Sequence, residues 1–317
     1  SATLPARRAN DVTLFIQRDG RRIRQMAYAQ GQEGFVASDL TVLASHITRG
    51  GIRQMAFQQA PQAIIWAVTE LGQLVGMTFE KDQNVFGWHR HFTDGFVESI
   101  AILHGTPSDE VWCAVRRTIS GETVRTVERM IMRESYSGHS RLIYLDGALL
   151  SKTVGARATV TGLEHLEGRT VTAMVNGALA GVHVVTSGAI DLDVPAGEPC
   201  VVGLPYCSLL QPMKQEMQLQ DGTAQARKFK LNDATVRVHE SLGGEMSADA
   251  GDERLPWSRL QLEAAQNNDS LPLLLTRDVR VKLESRHQAA VNAAIRTSSP
   301  FPLTVTALTL NYDVYGD

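Results

Sequence analysis

The chain has 317 residues, of which 43% are hydrophobic and 21% charged, with a formal net charge of −3. That composition buries a normal core and excludes a disordered chain, and the length suits two or three domains. The charge balance argues against a broad basic surface for nucleic acid or anionic lipid, and no window reaches the roughly 18–20 apolar residues of a membrane span.

The chain opens "SATLPARRANDV", with neither a starting Met nor the apolar run of a signal peptide. It is therefore expected to be a processed product or a piece of something longer. Alternation with a period of two follows. "DVTLFIQRDGRRIRQMAY" reads as strand, turn, strand, with Leu14 and Ile16 on one side and Asp19-Gly20 at the turn. The pattern returns as "GGIRQMAFQQ", "AIIWAVTE", "QLVGMTFE" and "NVFGWHRH", four strands separated by Ala60-Pro61, Leu71-Gly72 and the run Lys81 to Asn84. It returns again as "GFVESIAIL", "DEVWCAVRR" and "ETVRTVERM", the last two joined at Ser120-Gly121. A four-stranded unit of roughly 45 residues has the period of a β-propeller blade.

Residues 1–134 therefore predict an incomplete set of propeller-like four-stranded repeats, about two and a half blades where a closed ring needs about four to eight. Blades with open edges would expose strand backbones, so further blades are expected upstream, or another closure. Residues 135–205 carry short strands such as "RTVTAMVNG", "GVHVVTS" and "AIDLDVP" joined by Gly-containing turns. They predict a small all-β barrel or sandwich. Residues 206–317 predict a C-terminal β module. Its strands include Thr235, Arg237 and His239 alternating with Val236 and Val238, then "RDVRVKLES" and "FPLTVTALTLNYDVYG". A long surface loop is expected near 245–272, and one or two helical turns in "RHQAAVNAAIRT". The fold class is thus all-β, propeller-like blades followed by small barrel or sandwich modules.

Candidate chemistry is sparse. His89 and His91 are two apart on a strand and share a face, so both rings could ligate one metal. A catalytic zinc needs a third ligand, for which His104 or His46 would have to serve without any spacing that nominates them. The favoured reading is structural, with Trp88 packed on the neighbouring blade and the histidines bonded to loops. Asp94, Glu98, Asp109 and Glu110 are carboxylates of the kind a glycosidase pairs, but Asp94-Gly95 sits at a turn and Asp109-Glu110 opens a strand. Arg116, Arg117, Arg125 and Arg129, with Glu122 and Glu128, are placed for cross-strand ion pairs on a hairpin. Trp88, Trp112, Arg116, Arg117 and Arg129 are the interface candidates, since Trp and Arg are common anchors. Cys113, Cys200 and Cys207 fit no zinc or redox spacing and read as reduced thiols, consistent with synthesis in a reducing cytoplasm. The chain has no G-x-S-x-G, P-loop or dinucleotide fingerprint. No cofactor is implied.

Several blocks in order carry a resemblance. "GWHRHFTDGFVESIAIL" and "DEVWCAVRRTISGETVRTVERM" are followed by "LEHLEGRTVTAMVNG", "VVGLPYCSLLQP", "DGTAQARKFKLNDATVRVHESLGG" and "PFPLTVTALTLNYDV". Together they resemble tail-associated structural proteins of bacteriophage virions, the nozzle or hub-like components of short tails. The resemblance covers most of residues 40–317. It implies a virion protein made in the host bacterial cytoplasm and assembled as a ring-like homo-oligomer. Its partners would be further copies and neighbouring tail proteins, with no specific nucleic-acid binding and no membrane insertion. It implies no catalytic residues and a longer N-terminus. The alternatives are a receptor- or glycan-binding module at the tail tip, which would show exposed aromatics with carboxylates on one face, and an envelope-degrading hydrolase, in which Asp94, Glu98 or Asp109 would converge in a cleft.

Overall fold

The computed structural model describes residues 4–29, 31, 33–131, 143–152, 158–194, 197–213, 218–219, 222–223, 227–262, 273–288 and 291–315. Among them the protein is all-β, built of small antiparallel sheets with no α-helix, and none of the sheets closes into a barrel. The chain forms two compact units. One comprises Ser1–Ser140, Thr159–Val171 and His183–Leu192; the other comprises Arg141–Ala158, Thr172–Val182 and Asp193–Asp317.

The first unit begins with three consecutive sheets in simple up-and-down order. Sheet A holds β1 (Arg7–Ala9), β2 (Val12–Ile16), β3 (Ile23–Ala29) and β4 (Gly34–Asp39). Sheet B holds β5 (Ile52–Gln58), β6 (Ile64–Thr69), β7 (Leu74–Glu80) and β8 (Val85–His91). Sheet C holds β9 (Phe96–Leu103), β10 (Glu110–Ile119) and β11 (Glu122–Arg129). The turns fall where the sequence places them. Ser120 and Gly121 both have positive φ, 50° and 85°, the combination a tight two-residue hairpin needs between β10 and β11.

Sheet B lies between the other two. One of its faces gives Met55, Ile65, Ala67, Val75, Met77 and Phe79 to a core shared with Val12, Leu14 and Ile23 of sheet A. The opposite face gives Ile64, Trp66, Val68 and Leu74 to a core shared with Val97, Ile100, Val111, Cys113 and Val115 of sheet C. Every residue of β6 is buried, which explains why "IIWAVT" is a continuous apolar run and not an alternation. Sheets A and C bury one face each, and β10 shows it as strict alternation. A polar tie adds to the apolar contact. The Gln54 side-chain amide donates to the Ile100 carbonyl at 2.7 Å and its Oε1 accepts from the Ile100 N–H at 2.9 Å, so one side chain behaves as a peptide group in β9's ladder.

Beyond residue 143 the strands are β12 (Asp146–Lys152), β13 (Ala158–Thr161), β14 (Thr170–Val175), β15 (Ala178–Val184), β16 (Ala189–Leu192) and β17 (Pro199–Leu204). They form one four-stranded sheet in the order β12-β17-β14-β15 and a two-stranded pair, β13 with β16. Of the expected barrel or sandwich, the barrel is not formed, because these sheets remain open.

The C-terminal strands are β18 (Ser208–Leu210), β19 (Gln218–Leu219), β20 (Gly222–Thr223), β21 (Lys228–Ser241), β22 (Glu245–Ser247), β23 (Ser258–Arg259), β24 (Leu275–Lys282), β25 (Ala294–Thr297) and β26 (Val305–Tyr315). Sheets β18-β25-β22-β23 and β24-β21-β26 enclose one core that includes Leu231, Val236, Met246, Val281 and Ile295. Two expectations are corrected here. The stretch read as a surface loop near 245–272 is packed structure over 245–262: it carries β22 and β23, and it buries Met246, Ala248, Leu255, Leu260 and Leu262. Residues 263–272 lie outside the described residues. Of "RHQAAVNAAIRT", the stretch expected to form helical turns, Ala294–Thr297 form the central strand β25, held by β18 on one side and β22 on the other, with Ala294 and Ile295 buried; residues 289–290 lie outside the described residues. Apolar burial inside a sheet overrides the helix propensity of alanine there.

The close packing of sheet B on sheet C gives a test. Gly72 has φ +76°, and a Cβ there would fall 2.3 Å from the Phe96 ring. Gly72→Ala is expected to lower the unfolding free energy by about 2 kcal/mol or more, read by urea denaturation, since both strained backbone and overpacking add to the cost.

Candidate functional site

The segment that looked most like chemistry is β8. Its residues alternate between the two faces of sheet B. Trp88 packs on the core shared with sheet A and donates from Nε1 to the Leu40 carbonyl at 3.0 Å, and Arg90 reaches the His46 carbonyl at 3.2 Å. His89 and His91 turn to the other face. They bond to each other, with His89 Nδ1 2.8 Å from His91 Nε2, and not to loops as the sequence suggested. His89 lies opposite Gly76 in the register, and its ring occupies the space a Cβ at Gly76 would need, 2.2 Å from His89 Cε1. Trp66 lies opposite Gly76 from the other side and meets both rings, with centroids 5.6 Å from His89 and 5.0 Å from His91. Burial pushes the pKa of both imidazoles down, and the neighbouring ring helps bring His91 to about 4. Among the described residues no group of three or more His, Cys, Asp or Glu side chains is placed to hold a metal ion. His104 is engaged elsewhere, with Asp109.

The carboxylates do not share a centre. Asp94 pairs with Arg169, and Glu98 lies between Arg116 and Arg125 at 3.0 and 2.9 Å. Asp109 is buried. Its Oδ2 accepts from the backbone N–H groups of Gln59 and Ala60 at 2.7 and 3.1 Å, and its Oδ1 meets His104 at 3.0 Å. Burial works against the Asp109 charge, but these donors outweigh it and hold its pKa below the usual value. The residue thus ties the connection between β5 and β6 to the start of β10. Glu110 accepts from Trp112 Nε1 at 3.0 Å and from Arg129 at 2.7 Å. No two of Asp94, Glu98 and Asp109 have a bonding partner in common.

The interface candidates separate into two groups. Trp88 is in the core between sheets A and B, and Arg117 is buried, paired with Glu128 and reaching Thr93 at 3.0 Å. Trp112, Arg116 and Arg129 stand on the open face of sheet C. Around them lie the exposed Leu103 and Val127, with Arg116 over the Phe96 ring at 4.9 Å. The open face of sheet A is the one the sequence reading missed. Met26, Tyr28 and Phe35 are exposed there, Tyr28 by 59% and Phe35 by 72%, with their rings edge-on at 5.6 Å. A signal existed: Ile23 points inward, and Met26 and Tyr28 have the opposite parity in the same strand.

No family model matches the chain, and no curated protein matches it.

Asp109→Ala is expected to cost about 2 kcal/mol in urea unfolding, because two backbone donors lose their buried acceptor. Added zinc is expected to leave the melting temperature within about a degree, since two imidazoles that bond each other fall short of the four-coordinate set zinc takes in structural sites; thermal scans with and without ZnCl2 read this.

Proposed function

We propose that the chain is a non-enzymatic structural module that works by docking the open faces of its outer sheets onto other β modules, in a homo-oligomeric bacteriophage tail assembly. One observation carries the docking part. The stack of sheets A, B and C ends on two open faces, and these carry large side chains where solvated strands carry small polar ones. Tyr28, Phe35 and Met26 stand on one, and Trp112, Leu103 and Val127 on the other. On sheet C they are interleaved with the ion-paired Glu98, Glu110, Arg116, Arg125 and Arg129, and large apolar side chains exposed among charged ones are a usual form of a protein contact surface. The tail assembly itself rests on the ordered resemblance of the sequence blocks to tail nozzle and hub-like proteins. The engagement of Asp94, Glu98 and Asp109 with separate structural partners supports the non-enzymatic reading over a hydrolase.

A second reading has an observation of its own. The exposed Tyr28 and Phe35 rings would also serve to stack on a sugar, as in a glycan-binding module at a tail tip.

The test is sedimentation of the wild-type chain and of the double variant Tyr28→Ser/Phe35→Ser. Burying two such rings contributes about 3–5 kcal/mol, so the variant is expected to associate at least a hundredfold more weakly with its fold unchanged. A wild type that stays monomeric at the highest concentrations contradicts self-assembly. Specific binding to a glycan array, lost in the variant, would favour the second reading.

A further inference from the structure

The histidine pair stands half-buried on β8, the edge strand of sheet B, on the face that sheet C packs against further in, at β5 and β6. The rows of sheet B on that face are Gln54–Val68–Leu74–His91, Ala56–Trp66–Gly76–His89 and Gln58–Ile64–Thr78–Gly87. The two histidines are the ionisable side chains in these rows; Glu80, next along the same face opposite Val85, accepts from the Ala63 N–H at 3.3 Å. Trp66, which both rings touch, belongs to the core shared with Val97, Ile100, Val111, Cys113 and Val115 of sheet C. The ionisable groups that sheet C turns to this side are Cys113, Arg117, Glu128 and, exposed at the hairpin end opposite Ile119, Glu122. Arg117 and Glu128 are paired with each other, and the Cys113 thiol is pushed up to about 12 by burial and by Glu128. Asp94, on the connection from β8 to β9, is paired with Arg169, and Glu98 of β9 is held by Arg116 and Arg125. Among the described residues neither His89 nor His91 has an ion-pair partner.

The bond between the rings limits the protons they can carry. A 2.8 Å contact between two ring nitrogens needs one N–H and one lone pair. With both rings neutral, or with one charged, that requirement is met. With both charged, two N–H groups face each other and the bond is lost. Two like charges would then sit half-buried against Trp66, itself a buried member of the core shared with sheet C, and neither charge would be ion-paired among the described residues.

We infer that His89 and His91 form an acid-sensitive latch, which holds sheet C on sheet B while at least one ring is neutral and loosens that packing when both are protonated.

The sign follows from burial. The folded state disfavours the proton, so the unfolded chain takes it up first. Stability is full above the ordinary histidine value of 6.5 and falls as pH drops towards about 4, where His91 titrates in the fold. The structural carboxylates whose pKa is lowered, Asp39 and Asp109 among them, lose their stabilising charge only at still lower pH, so the windows separate.

Urea unfolding at pH 7 and pH 5 tests this on the whole chain. For His91 alone, the unfolding equilibrium constant of the wild type is expected to rise about twentyfold between the two. His89→Gln/His91→Gln is expected to change about twofold or less. Hydrogen exchange, corrected for intrinsic rates, should show amides of β9 losing protection at pH 5 while those of β2 and β3 keep theirs. If the double variant does not fold, NMR titration of the nine histidine rings of the wild type replaces it; two rings titrating well below the rest are expected. Equal wild-type stability at both pH values, a variant that keeps the wild-type pH dependence, or nine rings that all titrate near 6.5 would overturn the latch.

Discussion

The first unit depends on the burial of sheet B on both faces. A strand covered on one side can alternate apolar with polar residues, but one covered on both sides is mostly apolar and must give each polar side chain an internal partner, as Thr69 accepts from the Gln73 N–H at 3.0 Å. Hence β6 is buried from Ile64 to Thr69, and β7 gives Leu74 to one side of the sheet and Val75, Met77 and Phe79 to the other. Two separate cores result, one toward sheet A and one toward sheet C. At roughly 1.5–3 kcal/mol for each large apolar side chain removed from water, these cores outweigh the surface ion pairs of the same region, each worth about 1 kcal/mol or less.

Double coverage also decides the fine structure. His89 and Trp66 stand opposite Gly76 on the two neighbouring strands, and only a residue without a Cβ leaves room for the His89 ring. The turn that ends β6 brings Gly72 against Phe96, where its carbonyl accepts from Val97 N–H at 2.9 Å. Gln54 completes the junction by pairing its side-chain amide with β9. Among the described residues, sheets A and C share cores with sheet B through their inner faces, and large apolar side chains stand exposed on their outer faces.

Much of this was legible. The four strands of sheet B, the three of sheet C and the hairpin turns at Asp19-Gly20, Leu71-Gly72 and Ser120-Gly121 follow from alternation and turn chemistry, which act within a few residues. What depended on a distant partner was not legible. The bond between His89 and His91 needs the space above Gly76. The role of Asp109 needs the backbone of Gln59 and Ala60, some fifty positions earlier. Arg117 looks like its neighbour Arg116, yet parity on β10 buries one against Glu128 and leaves the other on the open face. The stretch 245–262 reads as polar and broken because its buried residues, Met246, Ala248, Leu255, Leu260 and Leu262, follow no regular period. Only the sandwich they fill makes them core.

The central claim is that the open face of sheet A becomes buried when the chain assembles. Hydroxyl-radical footprinting at low and high protein concentration reads this on the side chains themselves. Met26, Tyr28 and Phe35 should lose reactivity as concentration rises, while Leu179, exposed on β15, provides the comparison. Unchanged reactivity of all three in a sample shown to be oligomeric would contradict the account.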